Sequence, residues 1–438
     1  MKPFNNLNRR DFLKVLAASG LATTLPSGMT IAAEQSDSKA RIVIIGCGLA
    51  GLASAHRLRR QLPNAEITII DGKWEHNYQP GYTLLATGVW NDTNKVKTAN
   101  AKLIPNGVKW IQEAATEIQP DNQVVLTHAN NKVPYDYLIV ATGLRLGYDK
   151  IEGLDLLAFG QKGLGSVYHS PETAMATWHA MDEFRKKGGR AVMTLAGTDM
   201  KCAGAPLKMT FMVADRIRQA GTASGSQIDF FAAKTAIFSV KPVADKVLEL
   251  WKTLDVAPNV HYQKELIGVN MDSQTAIFRQ PETGEQSTEH YDFIHIVPPM
   301  FAPDVILNNN ELANEKGWLN VNAETLQHTK YPNIFGLGDI NGTPRGKTAA
   351  TVKKSTPVVV HNLIRTINGQ TPDVAFDGYT SCPMLVREGE AMLVEFNGKG
   401  ELTPTLPLVN PLQPSYFAWY LEDVMLKPAY MTVLRGHA

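Results

Sequence analysis

Cys202 and Cys382 are the residues with the most chemistry to offer in this chain. Cys202 lies in "AVMTLAGTDMKCAGAPLKMTF" (191–211), in the turn between an apolar strand and a helix opening at Pro206. A helix N-terminus and nearby ammonium groups favour a thiolate over a thiol, and Lys201 and Lys208 flank the position. Cys382 lies 180 residues further on, in "FDGYTSCPMLV" (376–386), where Thr380, Ser381 and Pro383 predict a turn and a thiol presented from a loop. In an exported protein the ordinary reading of two such cysteines is a structural disulfide. The other reading is a redox-active pair, and residue types alone leave both open. They also leave open whether Cys202 is a reactive thiolate or a buried, inert thiol. Cys47, between two glycines, reads as a small packing residue.

Two strand–turn–helix units must position these groups. In the later one, "AVMTLAG" (191–197) is a strand, "PLKMTFMVADRIRQAG" (206–221) a helix and "QIDFFAA" (227–233) the next strand. A nicotinamide-binding unit carries G-x-G-x-x-G in its first turn. Here "GTDMKCAGAP" lacks that spacing, and Pro206 removes one N–H that a phosphate could use, so no NAD(P)H site is expected. The earlier unit, "ARIVIIGCGLAGLASAHRLRRQLPNAEITIID" (40–71), is complete. It predicts a buried strand over 42–45, then Gly46, Gly48 and Gly51 in G-x-G-x-x-G, a helix over 49–62, and a second strand ending at Asp71. The glycines let the backbone approach a pyrophosphate at the helix N-terminus, and Asp71 is placed to accept hydrogen bonds from a ribose. "YDYLIVATG" (135–143) returns a strand to that turn with Thr142 and Gly143, and "YPNIFGLGDI" (331–340) ends a strand at Gly338 and Asp339, suited to the ribityl chain of a flavin. The three segments resemble the glutathione-reductase-like flavoproteins, whose FAD domain is split by an inserted second domain. The expected fold is therefore α/β, with two Rossmann-like dinucleotide-binding domains and a C-terminal amphipathic tail. The expected division is 1–33 signal, 41–159 and 297–370 FAD domain, 160–296 second domain, and 371–438 C-terminal region.

An apolar content of 44% against 19% charged residues describes a chain with sizeable cores. A net charge of +1 without a long basic run argues against nucleic-acid binding. "NRRDFLK" (8–14), the Ala/Gly/Thr-rich stretch after it and a small-residue cleavage site after Ala33 resemble a twin-arginine export signal, which places the mature chain in the periplasm. No later segment has 18 uninterrupted apolar residues. The tail (414–438) sets Phe417, Tyr420, Leu421 and Val424 on one helical face with Glu422 and Asp423 off it, and Pro428 is expected to break that helix. Such a face suits peripheral attachment to the inner membrane, or else packing on the body of the protein or at a dimer interface.

"KCAGAP" (201–206), "VPPMFAPDV" (297–305), "GWLNVNAETLQHTKYPNIFGLGDI" (317–340), "GKTAA" (346–350) and "FDGYTSCP" (376–383) resemble the sulfide:quinone oxidoreductases, in the branch that includes the mitochondrial enzyme. The resemblance covers almost all of the chain after the signal. It implies that Cys202 and Cys382 are the catalytic pair. Cys382 keeps the sulfur taken from sulfide as a persulfide, and Cys202 is freed as a thiolate beside the flavin. Electrons pass to a membrane quinone, and the sulfur leaves to a small acceptor such as sulfite, a thiol or more sulfide. Lys347, at a predicted helix start, would offset negative charge at flavin N1–C2=O; the other reading is an ordinary solvated lysine. Two features depart from the family pattern: the export signal, and "VKKSTP" (352–357), with Ser355 near the place of an expected Gln and Pro357 inside the helix. No cysteine occurs in 77–90 or 124–131, where relatives attach FAD through a thiol, so FAD is expected to be bound non-covalently. The alternatives are a flavoprotein subunit of a sulfide dehydrogenase feeding cytochrome c, a type II NADH:quinone oxidoreductase, and a non-catalytic flavin or sulfur-carrier module. A homo-oligomer stays open.

Overall fold

The structure, a computed structural model, describes residues 35–406 and 409–437; the expected signal at 1–33 lies outside them. The chain opens with β1 (Arg41–Ile45), α1 (Leu49–Gln61), β2 (Glu66–Ile70), β3 (Val108–Ile111) and β4 (Tyr137–Val140). It next builds β5 (Leu164–Gly165), α2 (Pro171–Lys187), β6 (Gly189–Leu195), α3 (Ala205–Ala220), β7 (Ser226–Ala232), β8 (Asn259–Tyr262) and β9 (Phe293–His295). It closes with β10 (Ile334–Gly336), α4 (Ala349–Ile367), the hairpin β11 (Thr380–Arg387) and β12 (Glu390–Phe396), α5 (Tyr416–Tyr420) and α6 (Leu426–Leu434).

Two five-stranded parallel sheets result, in the orders β10-β4-β1-β2-β3 and β5-β9-β6-β7-β8. The runs "RIVII" and "YLIV" are apolar and rich in β-branched residues because parallel strands are covered on both faces. The first sheet receives β10 only after the second sheet has been completed, so the second Rossmann-like unit is inserted within the first. The α/β architecture is the expected one.

Helix α3 is buried on nearly every face from Ala205 to Ile217, Lys208, Asp215 and Arg216 included. A helix enclosed in this way must give its charged side chains buried partners. One side of α3 packs on β6, the other on the hairpin strand β11.

Two local expectations are corrected. Cys382 does not sit on a loop. It lies within the eight-residue strand β11, opposite Val394, and is 4% exposed. Pro383 is tolerated there because a two-stranded ribbon has no inner strand whose ladder a missing N–H would interrupt. Pro428 does not break the tail helix. A π-helical turn, Leu421–Met425, leads straight into α6, and the chain stays helical through Pro428, the third residue of that segment.

Candidate active site

The N-terminus of α3 holds Cys202 in an unusual conformation. Its φ is 46°, in the left-handed region that non-glycine residues rarely occupy. Three hydrogen bonds over-determine it. The Cys202 N–H donates to the Lys347 carbonyl at 3.1 Å, and the Cys202 carbonyl accepts from the Ala205 N–H at 2.8 Å and the Tyr168 hydroxyl at 3.2 Å. Cys202 stays half-buried, while Cys382 is buried against it.

Cys382 Sγ lies against Gly204, two residues after Cys202, and each of the two free thiols is the leading influence on the protonation of the other. Gly204, the cap residue of α3, makes this possible. A Cβ at that position would lie 2.3 Å from Cys382 Sγ. The far end of α3 is tied to the same hairpin. The Glu388 N–H donates to Asp215 at 3.1 Å, Arg216 pairs with Glu388, and Arg216 Nε donates to the Thr87 carbonyl at 2.9 Å. Both ends of the α3–β11 contact are thus fixed, and with them the spacing of the sulfurs.

The pair is electrostatically unequal. The Cys202 thiol is pulled down to about 6: the hydrogen bond from Cys382 outweighs burial, and Lys208, the Ala205 N–H and Lys201 add to it. The Cys382 thiol is held well above its ordinary value, first by the hydrogen bond it gives to Cys202 and then by burial and the Cys202 charge. Lys208 is 2% exposed. Burial works against its ammonium, but Cys202, Glu422 and Cys382 more than offset this and keep it charged. Cys47 behaves as the packing residue expected: it is 2% exposed and burial pushes its thiol up to about 12.

The glycine turn forms as the pattern requires. Gly46, at φ 112°, passes so close to β4 that a Cβ would meet the Ala141 carbonyl at 2.3 Å, and a Cβ on Gly51 would meet the Gly46 carbonyl at 1.9 Å. A Cβ on Gly48 or Gly143 would meet no protein atom within 4 Å. Asp71 accepts from the Cys47 and Lys73 N–H groups at 2.6 and 2.8 Å, which holds its carboxylate against the turn. Thr142 Oγ1 is buried without a hydrogen-bond partner. Gly338, at φ 83°, turns the chain over α1, and Asp339 follows with its carboxyl raised by burial. Lys347 precedes the Thr348 cap of α4. Its ammonium donates to the Asp339 and Asn341 carbonyls at 2.6 and 2.9 Å and lies 3.6 Å from the Trp318 ring centroid. Burial lowers both Lys347 and Lys201 to about 8, each countered in part by Asp339. Two ammonium groups in a poorly hydrated site, an orphaned hydroxyl and the open space beside Gly48 and Gly143 are what a flavin dinucleotide needs.

Residues 40–172 match the pyridine nucleotide-disulphide oxidoreductase family, and residues 6–26 match the twin-arginine translocation pathway signal sequence. The chain is 36% identical over 397 residues to the mitochondrial sulfide:quinone oxidoreductase of Mus musculus, covering 90% of this chain and 86% of the mouse protein. The chain belongs to the sulfide:quinone oxidoreductase family. The mitochondrial sulfide:quinone oxidoreductase of Dictyostelium discoideum is 33% identical over 424 residues, covering 94% of this chain and 92% of that one. In fold, the chain is similar to the crystal structure of the sulfide:quinone oxidoreductase from Aquifex aeolicus, with a TM-score of 0.74, 21% identity, and 91% and 92% of the two chains covered.

Within this sulfide:quinone oxidoreductase fold, the tail supplies residues that the sequence did not single out for the site. Glu422, in the π turn, is 2% exposed and lies 3.7 Å from Lys208 Nζ. Asp423 accepts from Trp90 Nε1 at 2.7 Å. Tyr430 meets His76 Nε2 at 2.7 Å and packs edge-on against Tyr78. Gly204 and Tyr168 were also missed. The need for Gly204 depends on Cys382, and nothing in "GSVYHSPE" (165–172) marks Tyr168.

Proposed function

We propose that the chain oxidises sulfide at a Cys202–Cys382 pair and passes two electrons through a bound flavin to a quinone. The observation that carries the reading is the placing of two electrostatically unequal thiols together at the N-terminal end of α3, with Cys382 Sγ against the cap glycine Gly204, in the turn that a nicotinamide site would use. Sulfide is largely HS⁻ at neutral pH. It attacks an oxidised bridge at Cys382; the new bond is S–S(Cys382), the bridge bond breaks, and its electron pair stays on Cys202. The direction follows from leaving-group chemistry, because the thiol of lower pKa leaves faster. Lys208, the Ala205 N–H and Lys201 stabilise the thiolate so formed. Cys382 keeps the persulfide in a buried position, which favours a small acceptor such as sulfite, a thiol or further sulfide.

Gly46, Gly48, Gly51 and Asp71 would hold the dinucleotide end of FAD; Thr142, Gly143, Gly338 and Asp339 would hold its middle, and Lys347 the flavin end. The bound flavin supplies a two-electron acceptor between thiolate and quinone. Non-covalent binding is supported by the chain's three cysteines: two form the pair and the third is a packing residue. Export by the twin-arginine route lets a protein cross the membrane already folded around such a cofactor. Peripheral attachment is supported by the outward face of the tail, where Tyr416 is 66% and Val424 43% exposed beside the half-buried Phe417, Tyr420 and Leu421. Among the described residues no helix is long and apolar enough to cross a membrane.

The test is anaerobic. Sulfide is expected to bleach the flavin of the purified holoprotein, and a short-chain quinone to restore it, with NADH doing neither. Bleaching by NADH and not by sulfide would overturn the reading.

A further inference from the structure

Glu422 is an unexpected occupant of the cysteine site. It sits in a π-helical turn, and such turns widen a helix by one residue, often at functional positions. The widened turn swings its carboxylate inward while Val424 stays out. Oε1 faces Lys208 Nζ at 3.7 Å, beyond a short ion-pair contact. Oε2 is buried and has no hydrogen-bond partner. A permanent structural carboxylate would be expected to satisfy both oxygens, since an unpaired charged oxygen in the interior is costly. The groups facing it are Lys208 and Cys202 from the α3 end, Tyr78 from the segment before the short helix Tyr82–Ala86, and Asp423 from its own turn; Cys382 faces Lys208 from β11. One ammonium is therefore shared by a carboxylate and two sulfurs.

We infer that Glu422 is a proton-holding positioning residue for the cysteine pair: it takes up one proton when the Cys202 thiolate is released and gives it back when the bridge closes. The inference rests on the sulfide-oxidising reading of this site. With the bridge oxidised, Lys208 and Glu422 neutralise each other. HS⁻ brings one negative charge in; its sulfur bonds to Cys382, the bridge bond breaks, and the charge comes to rest on Cys202. Lys208 now faces two anions in an enclosed site. Protonation of Glu422 from solvent restores neutrality and frees Lys208 for Cys202. Once the outer sulfur has left Cys382 for a nucleophilic acceptor, the two thiols would give up two electrons to the bound flavin and close the bridge; the Cys202 charge is then gone, and the carboxyl loses its proton to solvent. Burial and the Cys202 charge raise the Glu422 carboxyl to about 6, against the pull of Lys208, which puts this exchange in an accessible pH range.

The test reads Cys202 directly and needs no turnover. The reduced holoprotein is alkylated with iodoacetamide across pH, and Cys202 modification is followed by peptide mass spectrometry. In the wild-type chain the profile is broader than a one-proton curve, because two groups titrate together. Glu422→Gln is expected to sharpen it and to lower its midpoint by about one pH unit, a tenfold gain in thiolate at fixed pH. An unchanged or raised midpoint overturns the assignment. Should Glu422→Gln not fold, the pair Lys208→Met and Lys208→Met/Glu422→Gln decides instead: the double variant titrates about tenfold lower than the single one if Glu422 acts on Cys202, and equal midpoints overturn the inference. Sulfide bleaching of the wild-type flavin reports separately on the underlying reading, so the two can fail independently.

Discussion

The chain builds one scaffold twice and puts opposite things in its two turns. After β1, the turn to α1 is walled by glycines, and a Cβ added at Gly48 would touch no protein atom within 4 Å. After β6, the turn to α3 also ends at a glycine, but a Cβ at Gly204 would run into Cys382 Sγ at 2.3 Å. The first glycine leaves room for a ligand; the second leaves room for another part of the same chain. The helix N-terminus is common to both turns, and in the proposed reading its positive end serves a phosphate in one and a thiolate in the other. Fold therefore gives the electrostatic setting, and the side chains in the turn choose the chemistry.

The contrast breaks most completely at the sulfurs. Cys202→Ser and Cys382→Ser should each slow sulfide bleaching of the flavin by on the order of 10³-fold, and the double variant should be no worse than either, because the two act as a unit. Flavin content should be unchanged in all three, which the absorbance spectrum checks. Gly204→Ala is the next largest. It pushes Cys382 away from Cys202 without removing a reactive group, and a displacement of about 1 Å is expected to cost roughly 100-fold in bleaching rate. The matching change in the other turn, Gly48→Ala, should spare the cysteines. It is expected to weaken flavin retention about tenfold, read by equilibrium dialysis, while the flavin-free chain unfolds within about 0.5 kcal/mol of the parent. If Gly48→Ala left flavin affinity untouched and Gly204→Ala left bleaching untouched, the two turns would not differ as described. The smallest effect belongs to the tail. Val424→Ser with Tyr416→Ser should lower binding to phospholipid vesicles several-fold, as about 1–3 kcal/mol of apolar burial is lost, with sulfide bleaching unaltered.

The first turn was legible in the sequence and much of the second was not. Gly46, Gly48, Gly51 and Asp71 form a local pattern, and the observed α1, Leu49–Gln61, ends within a residue of the expected helix. Buried apolar runs likewise located β1, β6 and β7. Cys382 was placed on a loop because Thr380, Ser381 and Pro383 carry turn signals, whereas the strand is stabilised by pairing with β12 and packing on α3. Glu422 was read as lying off the tail's apolar face, which it does. That this direction points to a buried lysine depends on Lys208, in a distant helix, and on a π turn that has no sequence period. Functional residues defined by the side chain they meet, such as Gly204 and Glu422, are visible only once the chain is folded.

The most direct test follows one sulfur atom. The oxidised holoprotein is given one equivalent of sulfide without oxygen, quenched with an alkylating agent and analysed by peptide mass spectrometry. The extra sulfur is expected on the peptide carrying Cys382, with Cys202 alkylated as a plain thiol. Extra sulfur on Cys202, or on neither cysteine while the flavin bleaches, would contradict the assignment of the pair.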